Sequence, residues 1–149
     1  MWPTLKPSQR EAILGSIDPQ SATTVKTTGW VDAALFQNWE ALILVGAISA
    51  TGTVDAKIQQ ATDNAGTGAK DLTGKAITQL TQAGGNGSQQ CRINVKQDDL
   101  DVSNGFRYIR LSITPAVAAA LIAGVLQGVD PRYAPADTLA AASQIQVIG

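Results

Sequence analysis

Phe106-Arg107-Tyr108-Ile109-Arg110-Leu111-Ser112-Ile113-Thr114 is the stretch from which the fold is read. Phe106, Tyr108, Ile109, Leu111 and Ile113 suit a pleated, half-buried surface, and Arg107, Arg110 and Ser112 supply the polar counterpart. That pattern fits a strand with one buried face. Pro115 has no amide hydrogen to give to a ladder and is expected to stop the strand. An apolar run, Val117 to Val125, follows. Its alanines favour a helix. Its position before the Gly128-Val129-Asp130-Pro131 break favours instead a last strand, from about Ala119 to Gln127. The two segments are expected to form a paired centre on which earlier strands stack.

Working outward from that centre, three more segments carry strand signals. Ala41 to Ile48 is almost continuously apolar, as in a central strand covered on both sides. After the Thr51-Gly52 turn, Val54, Ala56, Ile58 and Gln60 alternate with Asp55, Lys57 and Gln59, so 41–48 and 53–62 are expected to form a hairpin. Gln90 to Val95 places Cys91, Ile93 and Val95 on one face, and Asn86-Gly87 offers a hairpin turn between it and the β-prone 76–81. Several strands, glycine turns and little helix predict an all-β fold, an antiparallel β-sandwich or jelly roll. Trp30 and Trp39 are expected mainly as core pieces of such a sandwich, with ligand platforms the other option.

The ends read differently. Pro3, Pro7 and Pro19 interrupt the first segment, although Ser8 and Glu11 have the spacing of a capping box. The expected division is an N-terminal arm over 1–28, a sandwich domain over 29–130 and a C-terminal tail over 131–149. Apolar side chains in proline-broken ends must bury somewhere. Trp2, Leu5, Ile13, Leu14, Ile17, Tyr133, Ile145, Val147 and Ile148 are therefore the candidate interaction residues, as anchors on a neighbouring subunit.

Composition narrows the chemistry. The chain of 149 residues has a net charge of −1, and its basic residues form no run, so nothing draws it to nucleic acid. Only 15% of residues are charged, below the roughly 25% usual for soluble domains, which leaves a neutral polar surface that is cheap to desolvate against neighbours. The longest apolar stretch, Pro115 to Leu126, is shorter than the roughly 20 residues of a membrane-spanning helix, and the N-terminus lacks the pattern of a secretory signal. With no histidine and a single cysteine, Cys91, the sequence offers neither Ser-His nor Cys-His machinery nor an internal disulfide. The glycine-rich loop from Asp63 to Gly74 has the wrong spacing for a phosphate cradle, and no Ser or Thr follows Lys75. Asp98, Asp99 and Asp101 lie close together but match no calcium loop. No catalytic residue, metal site or cofactor is expected.

The order Thr53-Val54-Asp55-Ala56-Lys57-Ile58-Gln59-Gln60-Ala61-Thr62-Asp63, then Asp71 to Leu80, Phe106 to Leu111 and Asp130-Pro131-Arg132-Tyr133, resembles small structural proteins of tailed bacteriophages. The resemblance covers roughly 29–135 and rests on strand patterns rather than chemical motifs. It implies a β-sandwich decoration, cement or head-associated subunit, without enzymatic activity. Its partners would be the major capsid protein and copies of itself, with no nucleic acid or membrane, and its place the exterior of the capsid. A collar, connector or tail component is the second reading. A carbohydrate-binding sandwich of a host-recognition structure, using Trp30, Trp39, Tyr108 and Tyr133 as stacking faces, is the third.

Overall fold

The computed structural model describes residues 4–144 and 146–148. A single helical turn, α1 (Pro7–Arg10), leads into ten strands: β1 (Glu11–Ala22), β2 (Lys26–Thr27), β3 (Val31–Asp32), β4 (Phe36–Ile48), β5 (Thr53–Ala61), β6 (Lys70–Ala76), β7 (Leu80–Thr81), β8 (Gln89–Lys96), β9 (Tyr108–Ala116) and β10 (Ala120–Pro131). One sheet has the order β1-β10-β4-β8. The other has the order β2-β9-β5-β6, with β3 also on β9 and β7 also on β5. Counting β2 with β3 and β6 with β7 as interrupted strands leaves eight strand positions, ordered 1-8-3-6 in one sheet and 2-7-4-5 in the other. That order is a jelly roll, with every pairing antiparallel.

The alternating patterns are inner faces. Phe36, Trp39, Ile43 and Leu126 from the first sheet meet Ile58, Ile109, Leu111 and Ile113 from the second, all at or below 1% exposure. Burial of this kind, at about 25 cal/mol per Å² of apolar surface, is what holds the two sheets together. Two glycines of β10 make room for it. A Cβ on Gly128 would lie 2.5 Å from the Phe36 ring, and one on Gly124 would lie 2.8 Å from Leu111.

Several expected pairings are replaced by crossings between sheets. β4 and β5 do not form a hairpin: the Thr51-Gly52 turn carries the chain from β4 in one sheet to β5 in the other. The Asn86-Gly87 turn likewise passes from β7 to β8 across the sandwich. β9 and β10 are not paired side by side but face each other across the core. The physical reason is common to all three. Each strand has one apolar face, and facing sheets bury two such faces against each other, whereas neighbours in one sheet leave both needing a cover.

Other boundaries also move. Pro115 does not stop β9 but lies buried within it, opposite Val54. β10 runs through the expected break to Pro131. The second half of the expected 63–74 loop is β6, whose Leu72 joins the core. The expected arm over 1–28 contains β1, an outer strand of the first sheet that pairs with β10 along its length. Its proline at position 19 sits where the register shifts between Ile17 and Gln20, so the missing amide is accommodated at a bulge.

Candidate assembly surface

The jelly roll turns four strands outward on each side, and the two outer faces differ in chemistry. On the β5–β9 sheet the outer face is a polar ladder. Arg110 Nε donates to Gln59 Oε1 at 2.9 Å, Gln59 Nε2 to Asp71 Oδ1 at 3.0 Å, and Lys57 Nζ to Asp71 Oδ2 at 2.8 Å. The Lys57 hydrogen bond, then that of Gln59, holds the Asp71 carboxyl below its ordinary value. The Arg110 guanidinium lies 4.4 Å from the centroid of the Trp30 ring, which also packs on Gly66.

On the β1-β10-β4-β8 sheet the outer face is apolar at its centre. Val125 stands opposite Leu42, and Ala123 opposite Leu44. Leu44 is 42% exposed and Leu121 is 49% exposed. They line an open hollow of about 560 Å³, with Pro19, Gln20 and Gln90 on its rim. The near-continuous apolar run 41–48 is therefore not covered on both sides. Its off-phase leucines are presented to solvent. The Glu40–Arg92 pair, 2.8 Å apart, leaves the middle of this face without net charge.

The candidate anchors among the described residues divide into three groups. Ile17 is buried at 4% exposure beneath Gly124, and Leu14 packs half-buried against the same core, so these two hold their own sandwich together. Ile13 and Leu5 are half-buried. Ile13 stands opposite Gln127 on the outer face, and its carbonyl accepts the Ala141 amide at 2.7 Å. That bond brings the C-terminal segment alongside β1, where Gln144, Gln146 and Val147 share a hollow with Ile13 and Gln127. Tyr133, Val147 and Ile148 are 82%, 52% and 92% exposed. Trp2 and Ile145 lie outside the described residues. The structure thus gathers Ile13 and Val147 at one end of the apolar outer face, and places Tyr133 apart from them.

The sequence reasoning missed Leu42, Leu44, Leu121, Ala123 and Val125. Their signal was present as apolar residues out of phase with the inward set, and it was read as two-sided burial.

The acidic corner is occupied by the protein's own cations. Lys75 lies 2.8 Å from Asp99 and Lys70 lies 2.6 Å from Asp101. For Asp99, burial pushes the carboxyl up, but Lys75 and the Lys96 amide outweigh it and the net direction is down. Asp101 is lowered chiefly by Lys70, then by Asn104. Among the described residues no group of three or more metal-ligating side chains converges. Of the aromatic residues, Trp39 is buried at 1% exposure and offers no face to a ligand.

No family model and no curated protein matches the chain. Among solved structures it is similar to the infectious bursal disease virus VP2 subviral particle, with TM-score 0.49, 13% identity, and coverage of 83% of this chain and 33% of that one. It is also similar to a carbohydrate-binding module, CBM28, specific for non-crystalline cellulose, with TM-score 0.49, 9% identity and coverage of 79% and 73%. The Triatoma virus empty capsid gives TM-score 0.46, 9% identity and coverage of 85% and 94%. The chain spans about a third of the length of the bursal disease virus chains it matches. Likenesses this distant carry no functional weight, and the fold rests on the strand order itself.

Proposed function

We propose that this chain is a virion structural subunit, a capsid cement or decoration protein that binds the major capsid protein from outside and stabilises the head. The observation that carries the reading is the apolar outer face of the β1-β10-β4-β8 sheet, with Leu44 and Leu121 open to solvent. A monomer has little reason to expose a contiguous apolar strip, and such strips mark surfaces that a partner covers. The strip also has the anatomy of an interface, an apolar centre with an amide-rich rim of Gln20 and Gln90. The exposed Val147 lies toward one end of it, beside Ile13, and extends the same apolar contact. The sequence resemblance to small structural proteins of tailed bacteriophages points the same way.

A shell subunit gains from modest contacts because many copies act in parallel on one particle. Leu44→Gln together with Leu121→Gln tests the reading, since both side chains are exposed and the fold loses little by the change. Particles incubated with this variant are expected to carry far fewer copies than with the unaltered chain. Undiminished occupancy overturns the assignment of this face. Copy number separates the stations in the virion: cement follows the shell lattice, whereas a collar or tail component forms one ring.

A further inference from the structure

The geometry points to β8 as a self-pairing edge, through which two copies of this chain join their β1-β10-β4-β8 sheets into one continuous sheet. Edge strands with unpaired backbone groups are templates for further pairing, and folded proteins guard them with prolines, bulges, short strands or a covering segment. Three edges of this jelly roll carry such guards. The β1 edge takes the Ala141 amide on the Ile13 carbonyl. In the other sheet, one edge is split into the two-residue pieces β2 and β3, and the opposite edge is split between β6, with a register shift, and the two-residue β7.

β8 has none of these backbone guards, and of its two charged side chains Arg92 is already paired with Glu40, leaving Lys96 at its end. It pairs with β4 from Asn38↔Lys96 to Val45↔Gln89 without a register shift. It contains no proline or glycine. Among the described residues, no backbone group from Gln90 to Val95 bonds outside the β4 ladder.

The sequence of β8 also selects a register with a second copy. A two-fold axis perpendicular to the sheet keeps core-facing residues opposite core-facing residues, so only axes through a residue are allowed. Centring on Ile93 sets Ile93 opposite itself, Cys91 opposite Val95, Arg92 opposite Asn94 and Gln90 opposite Lys96. No like charges meet. Centring on Arg92 sets Arg92 against itself, centring on Asn94 sets Arg92 against Lys96, and centring on Cys91 or Val95 runs off an end of β8 and pairs fewer of its residues, so all four are disfavoured. In the Ile93 register the apolar strips around Leu42 and Leu44 of both copies lie on the same side of the joined sheet.

The pairing does not depend on the virion reading, and the test separates them. In a Cys91→Ser background, Arg92→Cys with Asn94→Cys places two symmetric thiol pairs across the axis. Mild oxidation of the full chain is expected to yield a disulfide-linked dimer. Gln90→Cys with Asn94→Cys, which fits only the Arg92-centred register, is expected to stay largely unlinked. Asn94→Lys supplies the second arm. Within one chain position 94 faces Glu40, so the added lysine does not penalise the fold. Across the axis it faces Arg92 twice, and dimer affinity should fall about tenfold. Sedimentation over a dilution series reads this directly. A chain that is monomeric at its highest soluble concentration, or a dimer indifferent to Asn94→Lys, overturns the proposal. A dimer that dissociates on Asn94→Lys yet binds no particle supports the pairing and sinks the virion reading.

Discussion

Asp32 and Arg107, far apart in sequence, form a fork: Arg107 Nε donates to Asp32 Oδ1 at 2.7 Å, and Nη2 reaches Oδ2. The same Oδ1 accepts the Ala34 amide at 2.8 Å, so one carboxylate caps the turn after β3 and clamps it to the chain entering β9. The Arg107 hydrogen bond is the main reason that the carboxyl sits below the ordinary value of 3.8, against a smaller upward push from burial. Asp63, held chiefly by Thr67, and Asp71, Asp99 and Asp101 are lowered as well. A carboxyl whose value is depressed by folding contributes stability that is present above its unfolded value and is lost as pH falls through its folded value. With no histidine in the chain, no imidazole titrates between pH 5 and 8. Thermal denaturation should therefore show a nearly constant midpoint from pH 5 to 8 and a decline only below about pH 4. Asp32→Asn should flatten part of that acid decline. A steep loss of stability between pH 5 and 7 would contradict the assignment.

Gly128 concerns close approach rather than a turn. Its φ is not left-handed, yet a Cβ would lie within 2.6 Å of three atoms of the buried Phe36 ring. Gly128→Ala should cost about 1–3 kcal/mol or more, the usual penalty for overpacking a rigid core. Gly74→Ala, at φ 73° with open space around it, should cost only about 1 kcal/mol of backbone strain. Denaturant melts of the two variants check the ranking, and a milder effect at Gly128 than at Gly74 would refute the steric reading.

These residues also show how far the sequence could be read. Phe106 to Thr114 reads as a strand, but its inner face is Ile109, Leu111 and Ile113 alone, with Tyr108 half-buried on the other side and Ser112, expected among the polar set, buried at 3% exposure. The alternation in Thr53–Ala61 marks both the strand and its inner face, because a period of two fixes which side is buried. It could not say which strands share a sheet. A strong turn such as Thr51-Gly52 or Asn86-Gly87 reverses the chain equally well within a sheet or across a sandwich, and the choice is made by distant inner faces. The terminal residues misled for a related reason. Ile17 and Leu14 are apolar because β1 is a strand of the sandwich, but the flanking prolines hid its pattern, and Pro19 fits only because a bulge falls there. Leu44 and Leu121 were legible as apolar and illegible as exposed.

Trp39 is the one buried side chain whose polar atom, Nε1, finds no partner among the described residues. An unpaired buried N–H costs roughly 1–3 kcal/mol. Trp39→Phe removes that penalty while leaving a smaller ring in the same place, so the two effects offset. Its net cost should stay below about 1.5 kcal/mol, whereas Trp39→Ala should cost about 3–5 kcal/mol. Equilibrium unfolding of both variants decides it, and a loss of about 3 kcal/mol or more in Trp39→Phe would mean that removing the unpaired N–H offsets little of the lost packing.

Thr28 bridges the gap between β2 and β3, where the ladder on β9 would otherwise lose a rung. It is 2% exposed, its amide donates to the Leu111 carbonyl at 3.0 Å, and its Oγ1 accepts the Leu111 amide at 3.0 Å. A side-chain oxygen thus does what a backbone carbonyl does elsewhere on the strand. Thr28→Ser keeps the hydroxyl and loses only a methyl that packs beside Gly15. Thr28→Val keeps the shape and leaves the Leu111 amide buried without an acceptor. The valine variant should therefore be the less stable of the two, by about 1–3 kcal/mol relative to the unaltered chain. Hydrogen exchange at the Leu111 amide should accelerate in Thr28→Val beyond the change in global stability and stay slow in Thr28→Ser. Equal exchange in the two variants would show that the hydroxyl is not the acceptor on which this part of β9 depends.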